Sequence, residues 1–276
     1  MSLQTLAEGI GFTEGPLWTS RGTLLVTSMS RGLVYRVPLD GGAAVVEAET
    51  GGGPNGLAEG ADGVVYVAQN GNATIQSRSP RPVQPGVQAI VGAEVRDLAA
   101  GCLAPNDCAM GPRGRLWSTD PPGRAGGDGR LCTFDPATSE VAVLAAGDGF
   151  PNGLAFADER TLVVVDTHRH ALLRYRLDGE DVVADGLFAQ VPGSGPDGIA
   201  FDADGRLLIA AFDADAVLVL APDGTVDERV ALPGMRPTNL CFAGPDLATL
   251  VVTCASGGRV VAVDGFRGRP LLYSPA

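Results

Sequence analysis

A six-bladed, all-β propeller with four antiparallel strands per blade is the fold class this sequence predicts, on three observations. A pattern of one polar residue, two or three apolar residues, a turn and an apolar strand recurs six times. The apolar runs are four to seven residues long, rich in β-branched residues and bounded by Gly, Pro or Asp. That is strand chemistry, and it excludes a helical solenoid. The copies stand 41–51 residues apart, which suits a four-stranded blade and is too long for the rung of a parallel β-helix.

The copies begin EGPLWTSRGTLLVT at Glu14, NGLAEGADGVVYVA at Asn55, NDCAMGPRGRLWST at Asn106, NGLAFADERTLVVVD at Asn152, DGIAFDADGRLLIAA at Asp197 and TNLCFAGPDLATLVVT at Thr238, and Pro precedes five of the six. Each copy supplies two strands. A following strand is expected at 34–38, 74–78, 131–135, 171–177, 216–221 and 259–264, and a weaker fourth at 43–47, 141–145 and 226–231. Residues 3–7 are free to pair with the last blade and close the ring, so all 276 residues are assigned to one domain.

Composition narrows the function. A formal net charge of −12 opposes nucleic-acid backbones and anionic membranes. The expected partner is therefore a small molecule, with neither nucleic acid nor membrane. The chain has no lysine, which excludes Schiff-base and P-loop chemistry. Five cysteines without a C-x-x-C pair do not make a disulfide framework or a structural zinc site. The N-terminal MSLQTLAEGIGF lacks the basic and apolar regions of a signal peptide, and no stretch is long enough to span a membrane. The expectation is a reduced cytoplasmic protein, monomeric or a small homo-oligomer.

The six leading residues Glu14, Asn55, Asn106, Asn152, Asp197 and Thr238 all bear oxygen. Asn-Gly and Asp-Gly are common turn formers, but Glu14 is a poor one and Asp107, not Gly, follows Asn106. The innermost strand of each blade points its entry at the central channel, so the set is read as a ring of converging oxygens. Such a ring suits a hard divalent cation, which would offset the repulsion of buried carboxylates. The alternative is one carboxyl kept protonated by its neighbour.

These residues resemble the gluconolactonase/regucalcin (senescence marker protein) family of six-bladed propellers. The resemblance runs along nearly the whole chain. Its carriers are Glu14-Gly15-Pro16 followed by Trp18, Pro105-Asn106-Asp107, Pro151-Asn152-Gly153-Leu154, Pro196-Asp197-Gly198 and Arg236-Pro237-Thr238-Asn239. The resemblance implies one divalent cation, calcium first, with Zn²⁺, Mg²⁺ or Mn²⁺ as alternatives. It implies Glu14, Asn152 and Asp197 as metal ligands, with Asp197 also the catalytic base. Asn106 is implied as a substrate or metal-water contact, or as a direct ligand. Animal members carry an Arg two residues before the Asn of the second motif, and here that position is Ala104. Arg124, in the short Gly-rich segment PPGRAGGDG, is the candidate replacement. Asn55 and Thr238 complete the expected substrate contacts.

The expected activity is metal-dependent opening of a small lactone, with the cation stabilising the oxyanion and Asp197 moving a proton. An esterase or phosphotriesterase on the same scaffold is the alternative. A propeller that only binds protein is a third reading, against which the polar ring counts, and a strictosidine-synthase-like condensing enzyme a remote fourth. A Ser-His-Asp triad is disfavoured: the two histidines, His168 and His170, sit in one loop-like segment and no G-x-S-x-G elbow occurs. Trp18, Trp117, Cys108 and Cys241 are assigned to the packed interior.

Overall fold

The computed structural model describes residues 2–179 and 181–275, and the fold that these residues form is a closed ring of six four-stranded antiparallel sheets. The chain opens with β1 (Leu3–Ala7), which belongs to the last blade. Blade 1 follows as β2 (Thr13–Trp18), β3 (Leu24–Ser28), β4 (Leu33–Arg36) and β5 (Val45–Glu49), and blade 2 as β6 (Pro54–Glu59), β7 (Val65–Gln69), β8 (Gly86–Val91) and β9 (Glu94–Ala100). Blade 3 holds β10 (Cys108–Met110), β11 (Leu116–Asp120), β12 (Gly129–Phe134) and β13 (Val141–Gly147). Blade 4 holds β14 (Pro151–Asp158), β15 (Thr161–Asp166), β16 (Ala171–Asp178) and β17 (Asp181–Gln190). Blade 5 is β18 (Pro196–Phe201), β19 (Leu207–Ala211), β20 (Ala216–Leu220) and β21 (Val226–Ala231). Blade 6 is β22 (Pro237–Ala243), β23 (Thr249–Cys254) and β24 (Arg259–Val263), completed by β1.

The core lies between blades rather than at the axis. Successive side chains of a strand point to opposite faces, and here both faces are covered. In β19, Leu207, Ile209 and Ala211 pack toward blade 4 while Leu208 and Ala210 pack toward blade 6. That two-sided burial is why the middle strands read as unbroken apolar runs. The outermost strands are covered on less of their surface, and Val46, Val143, Leu187 and Val226 stay exposed.

Ring closure follows the expectation. Leu3 pairs with Val263 and Thr5 with Val261. Thr13 reinforces this seam: its hydroxyl lies 2.9 Å from the Cys254 carbonyl and 3.1 Å from that of Arg259, and it accepts the Cys254 amide at 3.1 Å.

The strand expected at 74–78 is absent, and the third strand of blade 2 is β8 instead. Asn72 adopts left-handed backbone (φ 76), and prolines at 80, 82 and 85 remove ladder donors. Residues 70–85 form a long loop, tied down at Arg78 N to Ser30 O (2.9 Å), at Gly52 N to Arg81 O (3.1 Å) and at Arg124 N to Ala73 O (3.0 Å). The loop thus bridges blades 1, 2 and 3. The fourth strand of blade 1 begins two residues later than expected, at Val45.

Beyond β24 the chain crosses the far ends of the inner strands. Arg269 donates to the carbonyls of Phe156 and Ala157 at 2.8 and 2.9 Å, its guanidinium stands 4.6 Å from the centre of the Phe201 ring, and Tyr273 meets Phe156 edge-on at 5.1 Å. The inner strands are therefore capped at one end by this tail, and their starts face the other.

Replacing Thr13 with Val keeps the side-chain shape but removes the seam hydroxyl, leaving buried backbone groups of β23 and β24 short of a partner. Urea unfolding is expected to show a loss of about 1–3 kcal/mol; an unchanged midpoint would show that the seam depends on strand pairing alone.

Candidate active site

The start of each inner strand approaches its neighbour so closely that the second position of the motif admits little. A Cβ on Gly15 would collide with the Asn55 carbonyl, one on Gly56 with the Asp107–Cys108 backbone, one on Gly153 with the Asp197 carbonyl and one on Gly198 with Asn239. Glycine is there for close approach. Each of these glycines lies within a strand, so the Asn-Gly and Asp-Gly pairs are not turns. The same crowding carries the preceding side chains to the axis.

Three carboxylates come together there: Glu14, Asp107 and Asp197. Burial, and then the charge of Asp107, pushes Glu14 up from its ordinary 4.5 to about 8. Burial raises Asp107 from 3.8 to about 6. Asp197 is held well above the usual carboxylate range by burial, then by the charges of Glu14 and Asp107. Hydrogen bonds answer only part of this. Glu14 accepts the Gly15 amide at 3.1 Å, and Asp107 the Cys108 amide at 2.9 Å. The Asn239 side chain serves both Glu14 and Asp107, and the Asn152 side chain serves Asp197. No cation of the protein is among the groups that perturb these three acids.

Asn152 is fixed from behind: its Nδ2 donates to Thr167 Oγ1 at 3.0 Å, and its carbonyl accepts the Thr119 hydroxyl at 2.6 Å. Asn55 and Asn106 are buried with Oδ1 atoms that meet no donor. A buried acceptor without a partner is costly, so both oxygens are available to a ligand. Asp120 holds the approach to Asn106, accepting the amides of Leu103 at 2.9 Å and Ala104 at 2.7 Å and pairing with Arg130.

Of the expected ring, the structure brings together Glu14, Asn152 and Asp197, with Asn55 and Asn106 presenting orphaned oxygens. Thr238 takes a different place. It is fully buried, donates to Thr13 O at 2.8 Å and lies 2.8 Å from the Thr253 hydroxyl, because its side chain fills the seam between blades 6 and 1. Its neighbour Asn239 faces the carboxylates instead. Arg124 is exposed, and its guanidinium donates to the Thr74 carbonyl at 3.3 Å, on the 70–85 loop. Ala104 is fully buried and offers nothing to a substrate. His168 is exposed and stacks on Phe150 at 4.9 Å, while His170 accepts the Gly195 amide at 3.2 Å. Trp117 and Cys108 are buried as expected, whereas Trp18 and Cys241 are half-buried.

Asp107 and Asn239 were not among the expected site residues. Their signal was present: they occupy the motif's second position, which is Gly in the other four copies. Among the described residues no three His, Cys, Asp or Glu side chains stand close enough to share one ion. A cation held here would therefore need amide oxygens as well as carboxylates, and the orphaned Asn55 and Asn106 oxygens fit that need.

Residues 12–256 match the family model described as SMP-30/Gluconolactonase/LRE-like region. A 6-deoxy-6-sulfogluconolactonase of Pseudomonas putida is 39% identical over 162 residues, covering 56% of this chain and 55% of that protein. The gluconolactonase of Zymomonas mobilis is 25% identical over 287 residues, covering 87% of this chain and 75% of that one. A diisopropyl-fluorophosphatase of Loligo vulgaris is 32% identical over 173 residues, covering 55% and 54%. The chain thus spans about half the length of the first curated relatives it matches. Among solved structures, a gluconolactonase of Xanthomonas campestris superposes with a TM-score of 0.81 at 22% identity over 95% of this chain and 89% of that one, and a regucalcin of Agrobacterium tumefaciens with 0.80 at 23% over 99% and 96%. These likenesses show the fold.

The carboxylates carry a pH signature. Between the ordinary and raised values of Glu14 and Asp107, about 4 to about 8 in all, the native state holds protons that the unfolded chain has released. Stability must then fall as pH rises across that window. Thermal melts of the calcium-free protein are expected to show a declining midpoint from pH 5 to about 8, and Glu14→Gln to flatten the decline; a flat wild-type profile would contradict this electrostatic picture.

Proposed function

The chain belongs to the SMP-30/gluconolactonase/LRE-like family, and from that premise we propose that it is a divalent-metal-dependent hydrolase that opens small lactones. The observation that carries the reading is the meeting of three uncompensated carboxylates with two buried, partnerless amide oxygens at the mouth of the channel. Lactonases among its relatives support the reaction class. Glu14, Asn152, Asp197 and Asn106 would hold the cation, with calcium the best match to an all-oxygen set. When bound, the cation acts as a Lewis acid toward an ester carbonyl and offsets the charge that develops on its oxygen.

The protein's own groups do the rest. Asp197, held above the usual carboxylate range while the site lacks a cation, would be ionised in the loaded protein. It is suited to take a proton from the attacking water and return it to the leaving alkoxide. The Asn152 amide orients that carboxylate. The Oδ1 of Asn55, and that of Asn106 where it does not ligate, accepts hydrogen bonds from a substrate hydroxyl or the water. Asn239 holds Glu14 and Asp107 apart by giving its amide to both. The family resemblance places an Arg at the position of Ala104 in animal members, so hydroxyl recognition here falls to these amides. Phosphotriester hydrolysis remains the alternative for the same scaffold, and a panel of lactones, esters and phosphotriesters separates the two.

Chelation is expected to abolish lactone hydrolysis and added calcium to restore it, and Asp197→Asn to lower kcat at least about 100-fold; hydrolysis that survives both treatments would remove the proposal. Asn239→Leu deletes the amide shared by two carboxylates. Calorimetry is expected to show calcium binding weakened about 10–100-fold, and unchanged affinity would mean that Asn239 only packs.

A further inference from the structure

An open cavity lies on the same face of the ring as the channel mouth, at the seam between blades 6 and 1. Its volume is about 350 Å³, and Arg31, Arg78, Ser30, Gly9, Gly257 and Gly258 are among its walls. The face follows from strand direction. Thr13 begins β2 opposite Ser28, the end of β3, so the loop carrying Ser30 and Arg31 is at the mouth. Pro237 begins β22 opposite Cys254, the end of β23, so Gly257 and Gly258 are there too.

Two arginines line this cavity. Among the described residues, arginines such as Arg36, Arg81, Arg130, Arg169, Arg174 and Arg206 stand within 4.0 Å of a carboxylate. Arg31 and Arg78 do not: among the described residues neither pairs with an acid, in a chain with 32 acidic side chains. Arg31 is held in place, since Nη1 donates to the Tyr35 hydroxyl at 3.0 Å and Nη2 to the Gly9 carbonyl. Arg78 is placed through its backbone, by the 2.9 Å bond to Ser30 O, and its exposed guanidinium makes no hydrogen bond among the described residues. A third guanidinium, that of Arg259, packs against Gly257. The remaining walls are largely glycine, which lets a ligand approach the backbone.

Two permanently charged arginines in a small cavity with largely glycine walls suit an oxyanion, which arginine meets with paired N–H groups. We infer that this cavity is an oxyanion site that takes a doubly charged group of the phosphate or sulfate class between Arg31 and Arg78. The volume leaves room for several waters of about 30 Å³ each beside the anion. The site is local by necessity, because the protein as a whole is strongly negative and repels anions at long range. The oxyanion arrives either free or as the charged end of a molecule that reaches the channel mouth. The inference does not rest on the hydrolytic reading.

The test is titration of the ¹⁵N-labelled, full-length protein with inorganic phosphate at constant ionic strength. Saturable shifts are expected in the amides of Gly9, Gly11, Gly257 and Gly258, with affinity lowered at least tenfold in both R78Q and R31Q/R78Q. Arg78 is exposed, so R78Q is expected to melt like the wild type and serves as the variant free of folding effects. Absence of saturable shifts at these glycines, or unchanged affinity in the double variant, overturns the site. A second arm compares kcat/KM for a phosphorylated and an uncharged lactone. A ratio that falls in R31Q/R78Q assigns the anion to the substrate; an unchanged ratio, with phosphate binding present in the wild type and lost in the double variant, assigns it to a free anion.

Discussion

Everything at the axis depends on negative charge gathered where the chain supplies no positive charge of its own. Glu14, Asp107 and Asp197 come from three different blades; burial raises the proton affinity of all three, the charge of Asp107 adds to that of Glu14, and both charges add to that of Asp197. Two asparagine amides and a few backbone N–H groups soften the repulsion without cancelling it. A protein that keeps such an arrangement must bind protons there or something of opposite charge. Both answers make the site responsive to its surroundings, and the second gives it chemistry.

The propeller makes this possible because it separates stability from function. Apolar packing is confined to the surfaces between blades, where both faces of each middle strand are covered. The axis is left to side chains at strand starts, and these contribute little to the core. Glycine at the second motif position brings neighbouring backbones together and leaves room for the oxygen-bearing residue before it. Where that glycine is replaced, as at Asp107 and Asn239, the polar side chain joins the axial cluster.

Much of this was legible in the sequence because a repeat exposes its own exceptions. Six copies in phase define the blades, and Glu14, Asn106, Asn152, Asp197 and Thr238 lead the motifs that carry the family resemblance. Asp107 and Asn239 were visible letters without a visible role, since whether a motif position faces the axis depends on how nearly two backbones touch. Thr238 carried the right chemistry in the right phase, yet its short hydroxyl found partners in the seam before it could reach the channel. The sequence predicts a strand at 74–78 where the structure has the 70–85 loop, because five residues of mixed polarity look alike in either state. The prolines downstream of it, and the better apolar run that begins at Gly86, decide the matter.

The way the ring closes has a bearing on when the site can exist. Strand β1 waits for β24, more than 250 residues later in the chain, and Glu14 meets Asn239 only once the last blade is made. Early blades can pair their own strands during synthesis, since each is a meander of neighbours. The axial cluster cannot, because its members are joined only by contacts of long sequence separation, the slowest kind to form. A nascent chain therefore carries its carboxylates apart and hydrated, and they are forced together in the final step of assembly.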